Sequence, residues 1–326
     1  MSAPRRARAL ITGAAGQDGS YLSELLCAEG VEVHGVVRDA ARAAAGNLAA
    51  VRDAVTLHVA DLLEPGALRG IVEASAPDEI YHLAAPAFVP DSWASQAVTV
   101  QAIAGLSGEL IDTVRAHAPQ ARVVVAGSRE MFGPDAPSPQ REGTPCRPGT
   151  PYGAAKLAAH QLVGLARAHH GLHLSSAILF NHESPRRPPE YVTRRVARGV
   201  AAISLGRERR IALGDLGAVR DWCAATDVVR GMRLMAAAPQ PADYVLASGV
   251  GRTVHELVAT ACAHVGLDPE GLVDVDPALV RDREASPAIG DATLARERLG
   301  WTPSVSFEDL IGSMVEAEVA AMRAAR

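Results

Sequence analysis

The sequence predicts an α/β fold: a doubly wound parallel sheet with a smaller C-terminal lobe. Three observations predict it. Short apolar runs of β character alternate with Ala-rich helical patterns through the first 180 residues. A glycine-rich turn, Gly13-Ala14-Ala15-Gly16-Gln17-Asp18-Gly19, joins the first strand to the first helix. The alternation stops after Phe180, where Pro185, Pro188 and Pro189 mark a loop. Apolar strands separated by helices need crossover connections, which give a parallel sheet covered on both faces.

The elements follow in order. Ala9–Thr12 is a short apolar strand. Tyr21–Glu29 reads as a helix, because Tyr21, Leu22, Leu25, Leu26 and Ala28 recur at helical spacing. Val31–Val37, Val55–Val59 and Ile80–Leu83 are the next strands, and Ala40–Ala45 is a short helix or surface loop. Gln96–His117 has the length of a helix, Arg122–Ala126 is the fifth strand, Pro151–His170 a helix and Ser175–Phe180 the sixth strand. Beyond the proline loop come helices over Thr193–Leu205, Val254–His264 and Phe307–Met322, and a strand over Tyr244–Ala247.

Composition removes several function classes. Acids outnumber bases, 37 to 32, for a formal charge of −5; a general binder of nucleic acid or anionic membrane is usually basic. No apolar run approaches the roughly 18 residues of a membrane helix. The basic Met1–Arg8 stretch precedes too short an apolar run for a signal peptide. Cys27, Cys146, Cys223 and Cys262 are scattered without a CxxC pair. Neither a disulfide framework nor a metal site is expected, and a reducing cytoplasm fits. Cys146 and Cys223 read as ordinary thiols, since no activating base is evident.

The glycine turn lets the chain reverse tightly and lets a pyrophosphate approach the backbone. The helix after it offers free N–H groups and the positive end of its dipole. Gly13, Gly16, Gln17, Asp18 and Gly19 are therefore assigned to a dinucleotide, with GxxGxxG spacing. Val37 and Arg38 stand at the tip of the second strand. A guanidinium there suits a 2′-phosphate, which favours NADP over NAD. Asp39 beside it either neutralises Arg38 or faces solvent. Asp61 and Leu62, after the third strand, meet the adenine edge; Leu83, Ala84 and Ala85, at the end of the fourth and just beyond it, are also assigned to the cofactor.

Tyr152-Gly153-Ala154-Ala155-Lys156 places a phenol and an ammonium about one helical turn apart, on one face. The lysine favours the phenolate and lowers the tyrosine pKa toward what proton transfer needs, and it can also hold a nicotinamide ribose. Ser128, at the tip of the fifth strand, can hydrogen-bond a reacting oxygen. Glu130, two residues on, is a second acid/base. A simple dehydrogenase does not need one, but a reaction that also breaks a C–H bond does.

Together these motifs resemble the extended short-chain dehydrogenases/reductases, a Rossmann-like superfamily. Within it the sequence is similar to the GDP-mannose 4,6-dehydratase family over nearly the whole chain. The resemblance rests on Leu10–Gly13 with Gly16–Leu22, on Val33–Arg38, on Pro151–Leu157, and above all on Ile178–Arg187, which contains Phe-Asn-His-Glu-Ser-Pro-Arg-Arg. Arg220-Asp221-Trp222 and Leu299–Pro303 match further downstream.

The resemblance implies a hydro-lyase acting on a nucleotide sugar, most simply GDP-mannose, by internal hydride transfer through tightly bound NADP. Tyr152 takes the 4-hydroxyl proton while hydride leaves C4, Glu130 removes the C5 proton and helps water leave C6, and the hydride returns to C6. It implies cofactor contacts for His182 and Arg187, nucleotide-sugar contacts for Asn181, Arg195 and Arg220, and a phosphate and ribose element at Arg281 and Glu284. It implies two interleaved lobes, with the active site between them. Residues 1–180 are the NADP-binding domain and 181–326 mainly the nucleotide-sugar lobe, with the strand near 244–247 returning to the sheet. It implies a homodimer or homotetramer, with the Gln96–His117 and Pro151–His170 helices as the candidate interface.

The chain also departs from the family. Ala85-Pro86-Ala87-Phe88 stands where the family has a Gln-Ser pair after an alanine, and Val98 replaces a tyrosine. Arg129 replaces a small residue, and Asp39 replaces a second arginine in a shortened loop. Ser128 keeps the hydroxyl of the usual threonine. Losing polar groups from a sugar pocket alters selectivity. A dehydratase of another nucleotide sugar, for instance a GDP-heptose, therefore stays open, as do a related 4-ketosugar reductase and an epimerase. Glu130 argues against the reductase. Arg194, Arg198 and Arg207 to Arg210 read as a solvated helix face and loop.

Overall fold

The structure is a computed structural model that describes residues 6–280 and 287–325. Arg281 and Glu284 lie outside the described residues. The first part of the chain folds as β1 (Arg8–Thr12), α1 (Gln17–Ala28), β2 (Glu32–Val37), α2 (Ala40–Ala45), β3 (Val55–Val59), α3 (Ala67–Ser75), β4 (Glu79–His82), α4 (Gln96–Val100), α5 (Leu106–His117), β5 (Arg122–Ala126), α6 (Pro151–His170) and β6 (Leu174–Leu179). The second part adds β7 (Asn181–Glu183), α7 (Val192–Ser204), β8 (Ile211–Leu213), β9 (Val219–Ala224), α8 (Ala225–Ala237), β10 (Tyr244–Leu246), β11 (Gly251–Thr253), α9 (Val254–His264), β12 (Val273–Val275), α10 (Thr293–Leu299) and α11 (Phe307–Ala324).

Seven strands form one sheet in the order β10-β6-β5-β4-β1-β2-β3, and every neighbouring pair is parallel. The order reverses between β1 and β4. The crevice above the C-terminal ends at such a switch point is where open α/β sheets bind ligands. One face is packed by α1 and α8 around Leu22, Leu26, Met232 and Trp301. The other is packed by α3, α5 and α6 around Leu68, Leu110, Val114 and Val163. A third core joins α7, α9 and α11 through Val196, Val200, Leu257, Met314 and Val315. Beside it lie a three-stranded sheet, β11-β9-β7, and the pair β12-β8.

The helix expected over Pro151–His170 has those bounds, and its ends explain why. Thr150 accepts the Gly153 N–H, Pro151 sits in the first turn where it forfeits no hydrogen bond, and Gly171 closes the helix at φ 67°. The stretch expected as helix over Gln96–His117 is helical throughout, with a π turn at Gln101–Gly105 between α4 and α5. Three successive buried residues, Ala102, Ile103 and Ala104, mark the widened turn. Apolar spacing does not reveal it, because one inserted residue barely disturbs the period.

Arg194 is also corrected. It is half-buried, and its guanidinium reaches Glu318 of α11 and the carbonyls of Pro185 and Arg187. It therefore ties the proline loop to the last helix. Arg198, Arg207, Arg209 and Arg210 are exposed. Burial raises the pKa of Cys27, Cys146, Cys223 and Cys262, which keeps all four as neutral thiols. Among the described residues no group of three or more His, Cys, Asp and Glu could hold a metal, and no helix is long and apolar enough to cross a membrane.

Candidate active site

The turn from β1 to α1 packs backbone on backbone. Gly13 has φ +73°, and a Cβ there would stand 3.0 Å from the Ala84 nitrogen. A Cβ on Gly19 would meet the Gly13 carbonyl oxygen at 2.3 Å. α1 begins after Gly16 with no side chain capping it, so its first N–H groups remain for an anion. This cradle fits the pyrophosphate of a dinucleotide.

Thr12 and His82 complete the cradle, although the motifs do not single them out. They pair across β1 and β4. Thr12 Oγ1 accepts the N–H groups of Leu83 and Ala84, each at 3.1 Å, so its own proton goes to His82 Nδ1 at 2.9 Å. Burial, with the Lys156 charge added, lowers the His82 pKa to about 3, so the ring is neutral and can accept. The available signal was position: each residue stands at the tip of a strand.

Arg38 is exposed at the tip of β2, and no acid among the described residues pairs with it. Asp39 does not neutralise it. Its carboxylate caps α2 by accepting the Arg42 N–H at 3.0 Å. Asp61 is exposed and accepts the Leu63 N–H at 3.0 Å, while the Leu62 side chain packs in the core with Leu68 and Ile71.

Two of the diagnostic motifs prove to be opposite sides of one contact. Ser184 Oγ donates to Gln17 Oε1 at 2.8 Å, and Gln17 Nε2 donates to the His182 carbonyl at 3.1 Å. Asp18 Oδ2 meets His182 Nε2 at 2.8 Å, and His182 Nδ1 meets the Phe180 carbonyl at 2.7 Å. Both ring nitrogens thus face acceptors. Burial opposes both charges, but mutual attraction and hydrogen bonding outweigh it: the His182 pKa is raised and that of Asp18 lowered. Arg186 stacks on Tyr21, 3.9 Å from the ring centroid, and donates to Ser20 Oγ at 2.9 Å. The Gln17–Tyr21 string is therefore pinned to the His182–Arg186 string.

A cavity of about 470 Å³ opens at the tips of β5 and β6. Ser128, Glu130, Tyr152 and Lys156 line it, together with Asp18, Ala85, Asn181, His182, Arg187, Arg195 and Arg220. The remaining expected cofactor residues follow the tips of β1, β2, β3 and β4. Tyr152 is buried, and Ser128 lies near enough to favour its ionised form. Burial pushes its phenol up by more than Ser128 pulls it down. Lys156 Nζ lies 5.8 Å from the Tyr152 ring centroid and donates to the Ala126 carbonyl at 2.6 Å. Burial lowers the lysine to about 8. The expected lowering of the phenol by Lys156 is thus not the dominant effect; desolvation is, and the ammonium points at the tip of β5.

Glu130 follows Ser128 in a single 3₁₀ turn, Arg129–Met131, in which Ser128 Oγ accepts the Glu130 N–H at 3.2 Å. The Glu130 carbonyl rests against α6, where a Cβ on Gly153 would stand 2.5 Å from its oxygen. Across the cavity, Tyr191 donates to the Ala87 carbonyl at 3.0 Å and meets the Phe88 ring edge-on at 5.6 Å. Arg187 stacks on Tyr191, 3.6 Å from its centroid, and pairs with buried Glu183 at 3.1 Å. Asp221 is buried and accepts the N–H groups of Ser248, Gly249 and Gly290, fixing the loops beside Arg220.

A doubly wound sheet that carries Ser128 and Glu130 at one strand tip, with Tyr152 and Lys156 on the adjoining helix, defines an extended short-chain dehydrogenase/reductase. Residues 10–314 match the family model described as GDP-mannose 4,6 dehydratase. The chain is 39% identical to GDP-mannose 4,6 dehydratase 2 of Arabidopsis thaliana, over 95% of this chain and 86% of that protein. It is 37% identical to the human GDP-mannose 4,6 dehydratase, over 99% and 94%. A Thermus thermophilus UDP-glucose 4-epimerase, solved in complex with NAD, superposes with a TM-score of 0.83 at 25% identity, covering 96% of this chain and 99% of that one. The protein belongs to the GDP-mannose 4,6-dehydratase family.

Proposed function

We propose that the protein is a nucleotide-sugar 4,6-dehydratase, most simply converting GDP-mannose to GDP-4-keto-6-deoxymannose. The observation that carries this reading is Glu130 in the same cavity as Ser128, Tyr152 and Lys156. Oxidation at C4 needs only the latter three; elimination of water needs a further base and acid.

NADP, when bound, would supply the hydride acceptor for C4 and the hydride donor for C6. The Gly13–Gly19 turn and the Leu83–Ala85 segment hold its phosphates and nicotinamide side, Arg38 its 2′-phosphate, Asp61 and Leu62 its adenine end, and Tyr152 with Lys156 its ribose. Gln17, Asp18, His182 and Arg187 support that wall. The Arg38 guanidinium, which no acid among the described residues pairs with, supports NADP over NAD.

Tyr152, assisted by Ser128, takes the proton of the 4-hydroxyl. The resulting 4-ketone makes the C5 proton acidic, and Glu130 removes it. Glu130 then gives that proton to the C6 hydroxyl, which leaves as water, and a solvent proton reaches C5. Asn181, Arg195 and Arg220 hold the nucleotide sugar, the guanidiniums suiting its diphosphate; Arg281 and Glu284 are assigned to its ribose and phosphate. Residues 1–180 serve the cofactor and 181–326 mainly the nucleotide sugar, with β10 returning to the sheet. The enzyme works in the cytoplasm as a homodimer or homotetramer. Its pairing face is the α4–α6 surface, where Val98, Val100, Leu162 and Leu165 are exposed.

One observation favours a second substrate. Pro86 and Ala87 bring no polar side chain to the wall formed by Phe88 and Tyr191, which suits a nucleotide sugar other than GDP-mannose, such as a GDP-heptose. The test is mass spectrometry after incubation with GDP-mannose in heavy water without reductant. A product lighter by one water and carrying one deuterium supports the reading. Unchanged GDP-mannose, from folded protein loaded with NADP, refutes GDP-mannose as substrate, and a panel of nucleotide sugars then tests the second reading.

A further inference from the structure

We infer that Arg129 is a positioning residue for the elimination step, holding the Glu130 carboxylate so that one oxygen faces the sugar. The inference rests on the dehydratase reading. Arg129 Nε and Nη2 both donate to Glu130 Oε1, at 3.1 and 2.5 Å. These are the only side-chain hydrogen bonds to that carboxylate among the described residues, and Oε2 receives none. Both side chains line the cavity and are only 18% and 25% exposed, so the pair is less screened than a surface ion pair.

The mechanical argument is direct. Ser128 fixes the Glu130 backbone through its N–H, but a glutamate side chain keeps three rotatable bonds beyond that point. Two donors converging on Oε1 remove most of this freedom. They also leave Oε2 as the oxygen able to take a proton from C5 and pass it to the C6 hydroxyl. Ala87 and Phe88, which also line the cavity, have no side-chain donor that could do the same. Arg129 forms no bond with the reacting atoms; it acts through Glu130.

The test compares Arg129→Ala and Arg129→Lys with the wild type, using GDP-mannose and GDP-mannose deuterated at C5. Misplacing a base by about 1 Å costs about 10²-fold, so Arg129→Ala loses about that much kcat while KM stays nearly unchanged. Its isotope effect on kcat rises, because C5–H cleavage becomes the slow step. A loss of structure alone lowers every step and leaves the isotope effect unmoved. Arg129→Lys retains part of the rate, and guanidinium ion, well below denaturing concentration, restores part of it to Arg129→Ala. Wild-type kcat and isotope effect in Arg129→Ala overturn the inference, and so does a rise in KM alone, which would make Arg129 a substrate ligand. In both cases the active wild type leaves the dehydratase reading standing. A wild type that dehydrates no nucleotide sugar overturns both.

Discussion

Replacing Gly153 by alanine tests whether the base and the tyrosine helix are seated on each other. A Cβ at that position would lie 2.5 Å from the Glu130 carbonyl oxygen, 3.1 Å from its carbon and 3.1 Å from Pro148 Cβ. Ordinary contact begins near 3.4 Å, so the turn carrying Glu130 must retreat by about 0.9 Å. Helix propensity alone favours alanine by about 1 kcal/mol, while overpacking costs about 1–3 kcal/mol. Net stability therefore falls by at most about 2 kcal/mol. A base displaced by about 1 Å costs about 10²-fold in rate, equivalent to about 2.7 kcal/mol of barrier. The expected result is a folded enzyme with kcat near one hundredth of the wild type. Gly164→Ala is the control on the same helix, since its Cβ would meet nothing nearer than an Arg167 nitrogen at 4.0 Å. It stabilises by about 0.5–1 kcal/mol without changing kcat. The assay is kcat and KM on GDP-mannose beside urea unfolding of each variant. Wild-type kcat in Gly153→Ala, or a loss that merely tracks unfolding, refutes the reasoning.

Arg38→Ala weakens NADP binding by about tenfold or more, the worth of a charge-assisted hydrogen bond, and leaves NAD binding unchanged. Equal losses for the two cofactors, measured by titration, count against a 2′-phosphate site. The Asp18–His182 pair makes stability depend on pH at both ends. His182 is raised above 6.5, so its contribution is full below that pH and is lost as pH rises through the raised value. Asp18 is lowered below 3.8, so its contribution is present above that pH and is lost as pH falls through the lowered value. Asp18→Asn flattens the Tm-against-pH curve on the alkaline side, and a slope identical to wild type contradicts the pairing. Trp301 is fully buried and donates to the Asp227 carbonyl at 2.8 Å. Trp301→Ala should cost about 3–5 kcal/mol in urea unfolding, and a loss under about 1 kcal/mol would show that the α8–α10 contact does not stabilise the fold.

The central sheet was legible because each of its first six strands carries its apolar run locally, and five of them, all but the edge strand β3, are buried on both faces. The helices between them are required by parallel pairing. α3 and α8 had a readable signal, Leu68, Ile71 and Val72 in one and Val228, Val229, Met232 and Met235 in the other, at helical spacing. The strands β7, β8, β11 and β12 had none. Each has three residues, and each finds its partner far along the chain: β7 lies on β9, and β8 on β12. At that length neither alternation nor propensity can be separated from a loop.

The site shows the same division at the level of side chains. Spacing along one helix is enough to place Tyr152 and Lys156 on a shared face, but the charge balance between them depends on groups the motif does not contain. The Ala126 carbonyl at the tip of β5 holds the ammonium, and burial by the surrounding lobes raises the phenol. Likewise Asp18 and His182, 164 positions apart, read as separate cofactor residues until the fold joins them. Their motifs occur together in one chain because each supplies the other's hydrogen bonds: Gln17 needs Ser184, and Arg186 needs Tyr21 and Ser20. A motif string therefore reports which residue types a site requires, while the partners that set their protonation and direction come from tertiary contacts. Arg129 is the limiting case. It adjoins Glu130 in sequence and looks like a bystander there, and only the geometry of two nitrogens on one oxygen gives it a task.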